Sequence, residues 1–318
     1  MRLAYMSAMI ALLMCCSIDR FPYELEEFDV PNSGVKTLVI GDWGRKGNVN
    51  LKSNAYVMNE LTCRISIDAV LTTGDNFYSN GVENTADAHW NRSFESIFNG
   101  DCLMPIPWYP SLGNHDVRGN TQAQIDYSQQ SNRWNMPSTY FDYWLEQDSV
   151  SVHFIAVDTS PFVKSYHDDP SNGGMAHHIS NADTVQQLVW LDSVLGAGTP
   201  DWTVVYGHHP VYAAGGRHGE TEELIEKFVP IFDAHQLDVY FCGHNHSLEL
   251  IQTDTKTLYI TSGGGSIPQS RIENKPYNLF GVAEAGFVLS SFAKDSVQVD
   301  FVSKKGERLF SYINPQTP

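Results

Sequence analysis

Five turns of this chain place a side chain of a metal-binding type directly after a glycine. The residues that follow these glycines are, in order, Asp42, Asp75, Asn114, His208 and His244. Carboxylate, amide and imidazole groups are common ligands of metal ions in proteins. Taken singly, such a residue is usually an ordinary turn or structural residue, but turn formation does not require these ligand types five times in succession. The pattern therefore predicts a metal site assembled from five separate turns.

Two further side chains extend this set of ligand types. Tyr78 stands three residues after Asp75, and His246 stands two residues after His244. A phenol close to a carboxylate offers two hard, anionic oxygens, which is the ligand type that a highly charged cation prefers. Glycine before each turn lets the backbone bend sharply and approach the ions closely.

Each of the five turns follows a short apolar segment of strand type. The segments are 35–40, 67–71, 107–112, 201–206 and 238–242. Their apolar and β-branched residues predict buried strands. Because the carboxyl ends of the strands in an open α/β sheet converge on one crevice, we expect the five turns to meet there.

Segments with helical spacing lie between these strands. Apolar residues recur at intervals of three and four within 51–61, 185–195 and 224–232. Asp183 is expected to cap the second of these helices, and Pro230 to kink or restart the third. The alternation of strands and helices predicts βαβ units with a parallel core.

Two stretches depart from this alternation. From about Leu248 onward, short strand-like segments with little helix between them predict a second sheet that packs on the first. The Gly- and Asp-rich stretch 165–183 is interpreted as a long exposed loop. Its histidines, His167, His177 and His178, are not expected to be metal ligands.

In the order GDWG, GDNFY, GNHD, GHHP and GHNH, the five motifs resemble those of the purple acid phosphatases of the small, tartrate-resistant type. These enzymes belong to the calcineurin-like metallophosphoesterases, and Tyr78 is the residue that separates them from other members. The resemblance covers the chain from about Val35 to its C-terminal region. It implies an α/β fold, a four-layer αββα sandwich of two mixed β-sheets flanked by helices, in a single metallophosphoesterase domain over residues 33–314.

The resemblance also divides the ligands between two metal ions. One ion is bound by Asp42, Tyr78 and His246, the other by Asn114, His208 and His244, and Asp75 bridges the two. The first set is rich in anionic oxygens and favours ferric iron, whereas the second suits divalent iron, zinc or manganese.

Two histidines outside the ligand set are expected to be catalytic. By resemblance, His115 and His218 match the second-sphere histidines of the family. A protonated His115 would bind phosphoryl oxygens and assist the departure of the leaving group. Asp116 is expected to orient His115, and His209 is interpreted as a partly exposed polar side chain.

The function implied by the resemblance is that of an exported acid phosphatase. It would hydrolyse phosphomonoesters by attack of a metal-bound hydroxide, acting as a monomer on a small phosphate ester. One alternative is a phosphodiesterase or nucleotide hydrolase on the same binuclear core, because substrate loops rather than metal ligands decide the type of ester. Another is a non-catalytic phosphate-binding surface protein, which an intact set of ligands disfavours.

The charge and the N-terminus restrict partners and location. The 318 residues include 37 acidic and 20 basic side chains, and a formal net charge of −17 argues against a nucleic-acid groove. Residues 1–16, with Arg2 before a short apolar core, predict an export signal. A loosely matching lipoprotein box leaves acylation of Cys16 open. We therefore expect a secreted, periplasmic or surface lipoprotein, with no membrane contact other than such an anchor.

Three cysteines lie outside the predicted signal. Their number is odd, so at least one thiol stays unpaired, and Cys242 in the last motif strand is expected to be a buried core residue. The sequence leaves open whether Cys63 and Cys102 form a disulfide.

Overall fold

The computed structural model of the chain describes residues 25–167, 173–215, 218–269 and 271–316. The predicted export signal, residues 1–16, lies outside the described residues together with its cysteines. Among the helices that are described, none is both long enough and apolar enough to cross a membrane.

The described ranges contain thirteen strands and seven α-helices. The strands are β1 (Val35–Ile40), β2 (Ala69–Thr72), β3 (Trp108–Pro110), β4 (Phe141–Gln147), β5 (Val150–Ala156), β6 (Trp202–Tyr206), β7 (Val239–Cys242), β8 (Leu248–Gln252), β9 (Leu258–Ser262), β10 (Asn278–Val282), β11 (Gly286–Phe292), β12 (Ser296–Ser303) and β13 (Arg308–Pro315). The helices are α1 (Val49–Arg64), α2 (Thr121–Tyr127), α3 (Lys164–His167), α4 (Gly173–Asn181), α5 (Thr184–Leu195), α6 (Glu222–Lys227) and α7 (Val229–Ala234). A π-helical turn spans Trp90–Glu95, and 3-10 turns span Asp116–Arg118 and Ser160–Phe162.

The strands form two mixed sheets. The first has the order β13-β12-β11-β1-β2-β3, in which β1, β2 and β3 are parallel and β11 to β13 are antiparallel to their neighbours. The second has the order β10-β8-β9-β7-β6-β5-β4, with β5, β6, β7 and β9 parallel. The central strands are buried along their whole length, as is typical of parallel strands covered on both faces.

The two sheets pack face to face, with helices outside them. Buried side chains of both sheets, including Val288 of the first and Phe154 of the second, form one hydrophobic core. A second cluster lies between the second sheet and helices α5 to α7, while α1 packs against the first sheet. This α/β/β/α layering confirms the predicted four-layer sandwich.

Local signals place the helix ends where the sequence predicts them. The side chain of Asp183 accepts a hydrogen bond from the backbone N–H of Gln186 and so caps α5. Asn48 caps α1 in the same way. Pro230 lies in the first turn of α7, where a missing N–H is tolerated, and the predicted break between α6 and α7 is confirmed.

The distribution of strands between the sheets differs from the prediction. The strands after Leu248 do not form a sheet of their own, because β8 and β9 extend the second sheet beside β7 while β11 to β13 extend the first sheet beside β1. The five motif strands are also divided, with three in the first sheet and two in the second. The sheet to which a strand belongs is decided by its pairing with strands distant in sequence. The residue pattern within a single strand does not show this pairing.

The stretch 165–183 is not the long exposed loop that we predicted. Its described part consists largely of helices α3 and α4. Met175 and Ile179 are one helical turn apart and are both buried, so a single face of α4 packs into the core. Because the stretch is rich in Gly and Asp, sequence analysis did not recognise the short apolar face of α4.

The cysteines are divided between one disulfide and one buried thiol. Cys63 at the end of α1 is bonded to Cys102, with 5.2 Å between the Cα atoms. This resolves the pairing that the sequence left open. Cys242 is a free, buried cysteine in β7, as predicted.

Candidate metal centre

The first sheet brings oxygen donors to the seam between the sheets. Asp42 follows β1, Asp75 and Tyr78 follow β2, and Asn114 follows β3, and all four are buried. Their strands are parallel and adjacent, so their carboxyl ends open at the same edge.

The second sheet brings imidazoles to the same place. His208 follows β6, and His244 and His246 follow β7. Nδ1 of His208 lies 2.8 Å from the carbonyl oxygen of Thr73, and Nδ1 of His246 lies 2.7 Å from that of Ile267. A carbonyl only accepts, so Nδ1 carries a proton in both rings and Nε2 is the nitrogen that can bind a metal ion at the seam.

One group of these side chains surrounds Tyr78. The phenol donates a hydrogen bond of 2.9 Å to Oδ1 of Asp42. Nε2 of His246 lies 3.2 Å from the phenol oxygen and 3.4 Å from Oδ1 of Asp42. The three predicted ligands of the first ion are therefore in mutual contact.

A second group surrounds His208. Its Nε2 lies 3.0 Å from Oδ1 of Asn114, 3.1 Å from Nδ1 of His244 and 3.5 Å from Oδ1 of Asp75. Ligand atoms of Asp42, Asp75 and His208 lie within 4.8 Å of one another, so Asp75 stands between the two groups. The seven side chains that sequence analysis singled out are thus brought together, and their assignment to individual ions stays a prediction.

The backbone at three of these residues is in the left-handed region. The φ angles are 58° at Asp42, 54° at Asp75 and 66° at His244. Non-glycine residues seldom adopt this conformation, although Asp and His do so more often than most. Gly74, with φ of 84°, allows the close approach beside them, since a Cβ there would lie 2.7 Å from Nδ1 of His208.

Asp116 does not orient His115, contrary to our expectation. Its fully buried carboxylate instead accepts hydrogen bonds from the backbone N–H groups of Asn76, Phe77 and Gly113 and from Nε2 of Gln124, at 2.8 to 3.1 Å. It therefore joins the turn after β2 to the turn after β3. A buried carboxylate is more stable when backbone donors surround it than when it faces one imidazole.

His115 is oriented by a backbone carbonyl. Its Nδ1 lies 2.6 Å from the oxygen of Ser79, and its Nε2 lies 3.9 Å from Oδ2 of Asp75. The ring of His115 packs against that of Tyr78, with 4.4 Å between centroids. Nε2 is therefore directed at the centre, where a substrate group would meet it.

His209 is fully buried, and the interpretation of a partly exposed side chain is wrong. Nδ1 lies 2.8 Å from the hydroxyl of Thr159, and Nε2 lies 2.9 Å from that of Tyr166. Both ring nitrogens thus have hydroxyl partners, and ligand atoms of His208, His209 and His244 also lie within 4.8 Å of one another. Sequence analysis missed Thr159 and Tyr166, since nothing in the local pattern links them to the GHHP motif.

His218 lies beside the second group, and its catalytic role stays a prediction. Its ring is 4.2 Å from that of His244 between centroids. It lines a cavity of about 260 Å³ together with Tyr166, His209 and His244. The position is suited to contact with a substrate group outside the ligand set.

The histidines of the stretch 165–183 contact protein groups. Nε2 of His178 lies 2.5 Å from Oδ2 of Asp158, and Nε2 of His167 lies 2.8 Å from the carbonyl of Pro161. His177 lies near the side chain of Asn181. That the three histidines are not ligands stays a prediction.

Burial and mutual charge set the proton affinities at the centre. Burial alone would raise the pKa of Asp75, but the imidazoles of His208 and His115 lower it to about 2. Burial raises the pKa of Tyr78 well above its usual range, and Asp42 and Asp75 act in the same direction. Burial also lowers the pKa of His244 well below its usual range, reinforced by the surrounding imidazoles. The carboxylate is thus ionised and His244 neutral, which are the forms that bind metals.

A profile of the calcineurin-like phosphoesterases matches residues 35–248, which include all the predicted ligands. The chain belongs to the calcineurin-like phosphoesterase family.

Within that family its relatives are acid phosphatases, which are phosphomonoester hydrolases. It is 30% identical over 311 residues to tartrate-resistant acid phosphatase type 5 of Rattus norvegicus, covering 91% of this chain and 92% of the relative. It is 32% identical over 332 residues to purple acid phosphatase 17 of Arabidopsis thaliana, covering 98% and 96%.

Solved structures share the fold. A purple acid phosphatase from yellow lupin seeds superposes with a TM-score of 0.67 at 15% identity, over 90% of this chain and 54% of the other. GAP50, described as the anchor in the inner membrane complex of Plasmodium, gives a TM-score of 0.76 at 23% identity, over 90% of both chains. At these identities the likeness establishes the architecture alone.

The family has a binuclear metal site, and the donors of this chain fit it. Nδ1 of His208 faces the carbonyl oxygen of Thr73, and its Nε2 lies 3.0 Å from the amide oxygen of Asn114. When the ring is neutral, Nε2 and this oxygen both present lone pairs, and a cation bound between them removes their mutual repulsion. The chain therefore presents lone pairs where a metal ion is needed.

Proposed function

We propose that this protein is an exported acid phosphatase that hydrolyses phosphomonoesters with a ferric ion and a divalent ion. Ferric iron would be held by Asp42, Asp75, Tyr78 and His246, and divalent iron, zinc or manganese by Asp75, Asn114, His208 and His244. The observation that carries the proposal is the position of Tyr78, whose phenol oxygen lies 2.9 Å from Asp42 and 3.2 Å from His246. A phenol within an otherwise carboxylate and imidazole group supports ferric iron at that position.

The side chains around the ligands have separate roles in this reaction. When bound, the ions supply a water of lowered pKa and stabilise negative charge on the phosphate oxygens. Protonated at Nε2, His115 donates to the leaving oxygen, and the carbonyl of Ser79 holds the ring in that orientation. His218 contacts the substrate from the side of His244. Burial lowers the pKa of His115, which makes the imidazolium a stronger acid.

Export is supported by two independent features. Residues 1–16 have the pattern of a signal, and the Cys63–Cys102 disulfide suits an oxidising compartment. A monomeric state and a small phosphate ester as the partner belong to the same proposal, while acylation of Cys16 is left open.

Two other functions remain distinguishable by experiment. A phosphodiesterase on the same core would turn over diesters faster than monoesters, so comparative rates separate the two. The likeness to GAP50, an anchor by its description, is one of fold and raises a non-catalytic role as the second alternative. Absence of turnover in protein that holds two metals per chain would favour that role.

The experiment that tests the proposal is metal analysis with a visible spectrum. A phenolate bound to ferric iron gives a charge-transfer band in the visible, so the iron-loaded protein should be pink to purple. Tyr78→Phe keeps the ring in place but removes the oxygen, and we expect the colour to disappear. Tyr312→Phe, on strand β13 outside the centre, is the matched control and should keep it. A colourless iron-loaded protein, or an unchanged band in Tyr78→Phe, would reduce the proposal to a phosphoesterase with two divalent ions.

A further inference from the structure

The turn after β1 carries an arginine that lies against the predicted ligand Tyr78. Cζ of Arg45 is 3.6 Å from the centroid of the Tyr78 ring. The phenol is buried, with 4% of its surface exposed. A guanidinium at this distance over an aromatic ring is attracted by the negative face of the ring, and desolvation strengthens the attraction. Arg45 thus brings a full positive charge into contact with the phenol that is predicted to bind ferric iron.

Backbone contacts between two turns hold Arg45 at this place. The N–H of Tyr78 donates to the carbonyl oxygen of Gly44 at 2.9 Å, and the N–H of Gly44 donates to that of Asp75 at 3.3 Å. A Cβ at Gly44 would collide with the carbonyl group of Asn76, so the two turns approach this closely only with glycine there. Because Arg45 directly follows Gly44, the same approach brings its side chain to the ring.

A phenolate interacts with such a cation more strongly than a neutral phenol does. Loss of the proton leaves a negative charge that extends from the oxygen into the ring, over which the guanidinium lies. When light transfers an electron from the phenolate to ferric iron, this negative charge leaves the ring. Arg45 therefore stabilises the ground state of the bound phenolate more than its charge-transfer state.

We propose that Arg45 tunes the metal centre through Tyr78, by stabilising negative charge on the phenolate and by opposing the loss of an electron from the centre. The inference rests on the proposed function, in which Tyr78 binds ferric iron beside a divalent ion. Oxidation of a divalent iron removes one electron and adds one positive charge to the centre, which the neighbouring guanidinium disfavours. Arg45 thus helps to retain the form with one ferric and one ferrous ion.

The visible spectrum of the iron-loaded protein tests the action on Tyr78. Arg45→Gln and Arg45→Met both remove the charge, and methionine keeps an unbranched side chain that packs on the ring. We expect the charge-transfer band of both variants to move by about 10–20 nm to longer wavelength, an effect of the size of a partly buried cation–π contact. Lys46→Gln removes a positive charge at the next, exposed position and is the matched control, which should leave the band in place.

A redox titration of the same proteins tests the action on the electron count. The mixed-valent form has an odd number of electrons and is followed by electron paramagnetic resonance at a series of fixed potentials. At a given potential we expect Arg45→Gln and Arg45→Met to raise the ratio of oxidised to mixed-valent centre about tenfold, which is a reduction potential about 59 mV lower. Lys46→Gln should titrate like the wild type.

The outcomes separate this inference from the proposed function. A coloured wild type whose band and potential are unchanged in Arg45→Gln and Arg45→Met would overturn the inference and leave the ferric phenolate in place. A band shift in Arg45→Gln that is absent from Arg45→Met would trace the effect to packing and would also overturn it. An unchanged potential alone would refute the effect on oxidation. A colourless iron-loaded wild type would refute the proposed ferric site, and this inference with it.

Discussion

The two sheets contribute unlike chemistry to one centre. Each predicted ligand that follows β1, β2 or β3 is an oxygen donor, whereas each one that follows β6 or β7 is a histidine. We call the ligands after β1, β2 and β3 the oxygen side of the centre, and those after β6 and β7 the histidine side. On the oxygen side, the buried carboxylate of Asp116 joins two turns through their backbone N–H groups. The imidazoles of His208 and His246 are fixed by single hydrogen bonds to carbonyl oxygens. The turns that carry the oxygen donors are thus held together by a buried carboxylate. On His208 and His246, the hydrogen bond of Nδ1 to a carbonyl oxygen leaves Nε2 as the nitrogen that can bind a metal ion.

The largest effect is expected where the oxygen side serves both ions. Asp75→Asn removes the shared charge but keeps a residue type that tolerates the left-handed backbone at this position. We expect both ions to bind more weakly by more than about 100-fold, beyond the range for changes outside the ligand set. Metal analysis after dialysis measures this, with Asp192→Asn at an exposed position of α5 as the control. Two tightly retained ions in Asp75→Asn would show that Asp75 is not shared.

The second prediction concerns His115, which belongs to neither ligand set. Because it acts on the leaving group, His115→Ala should lower kcat by about 100-fold or more. Metal content should stay at the wild-type level. His235→Ala removes an imidazole at the surface and should leave both unchanged. Loss of an ion in His115→Ala would move His115 into the ligand set.

The third prediction tests the rigidity of the oxygen side. Burial and the charge of Asp75 raise the pKa of Asp116 to about 7, while the backbone donors oppose this shift. Asp116→Asn would turn an amide N–H toward two of those donors and leave them unsatisfied. We expect a loss of about 1–3 kcal/mol in the free energy of unfolding, measured in urea. Wild-type stability in the variant would show that the turns after β2 and β3 are held by other contacts.

The smallest effect is expected at His178 of α4, outside both ligand groups, where the imidazole contacts Asp158 just after β5. Burial lowers the pKa of His178, but the charge of Asp158 outweighs it and the net shift is upward. A raised pKa stabilises the fold fully below about pH 6.5, the pKa of an unfolded histidine, and the contribution is lost as pH rises through the folded pKa. His178→Gln should therefore lower Tm by a few degrees near pH 5 and by less near pH 8. A Tm difference that is equal at both pH values would rule out the ion pair as its cause.

Much of the metal centre could be predicted because its parts are local. Each predicted ligand lies within a few residues of its glycine and of the apolar strand before it. A short segment of sequence therefore predicts the strand, the turn and the type of ligand together. The helix signals at Asp183 and Pro230 are equally local, and both were confirmed.

Apart from the stretch 165–183, the errors involve contacts between distant segments. Asp116 bonds to the turn after β2, 40 residues away, and His209 meets Thr159 at a distance of 50 residues. The division of the motif strands between two sheets depends on β11 pairing with β1 across the whole chain. Burial and long-range pairing decide these features, and no single segment encodes them.

The left-handed backbone at Asp42, Asp75 and His244 lowers the stability of the metal-free protein at residues that are predicted to bind metal ions. Each such residue costs about 1–3 kcal/mol relative to a relaxed backbone, with Asp near the low end because it tolerates the conformation best. Bound metal ions offset this cost through mass action on the folded state. A selection for heat resistance alone, carried out without metal, should therefore replace His244 with glycine or asparagine before the other two. His244, a predicted metal ligand, is thus the residue whose substitution should stabilise the metal-free protein most.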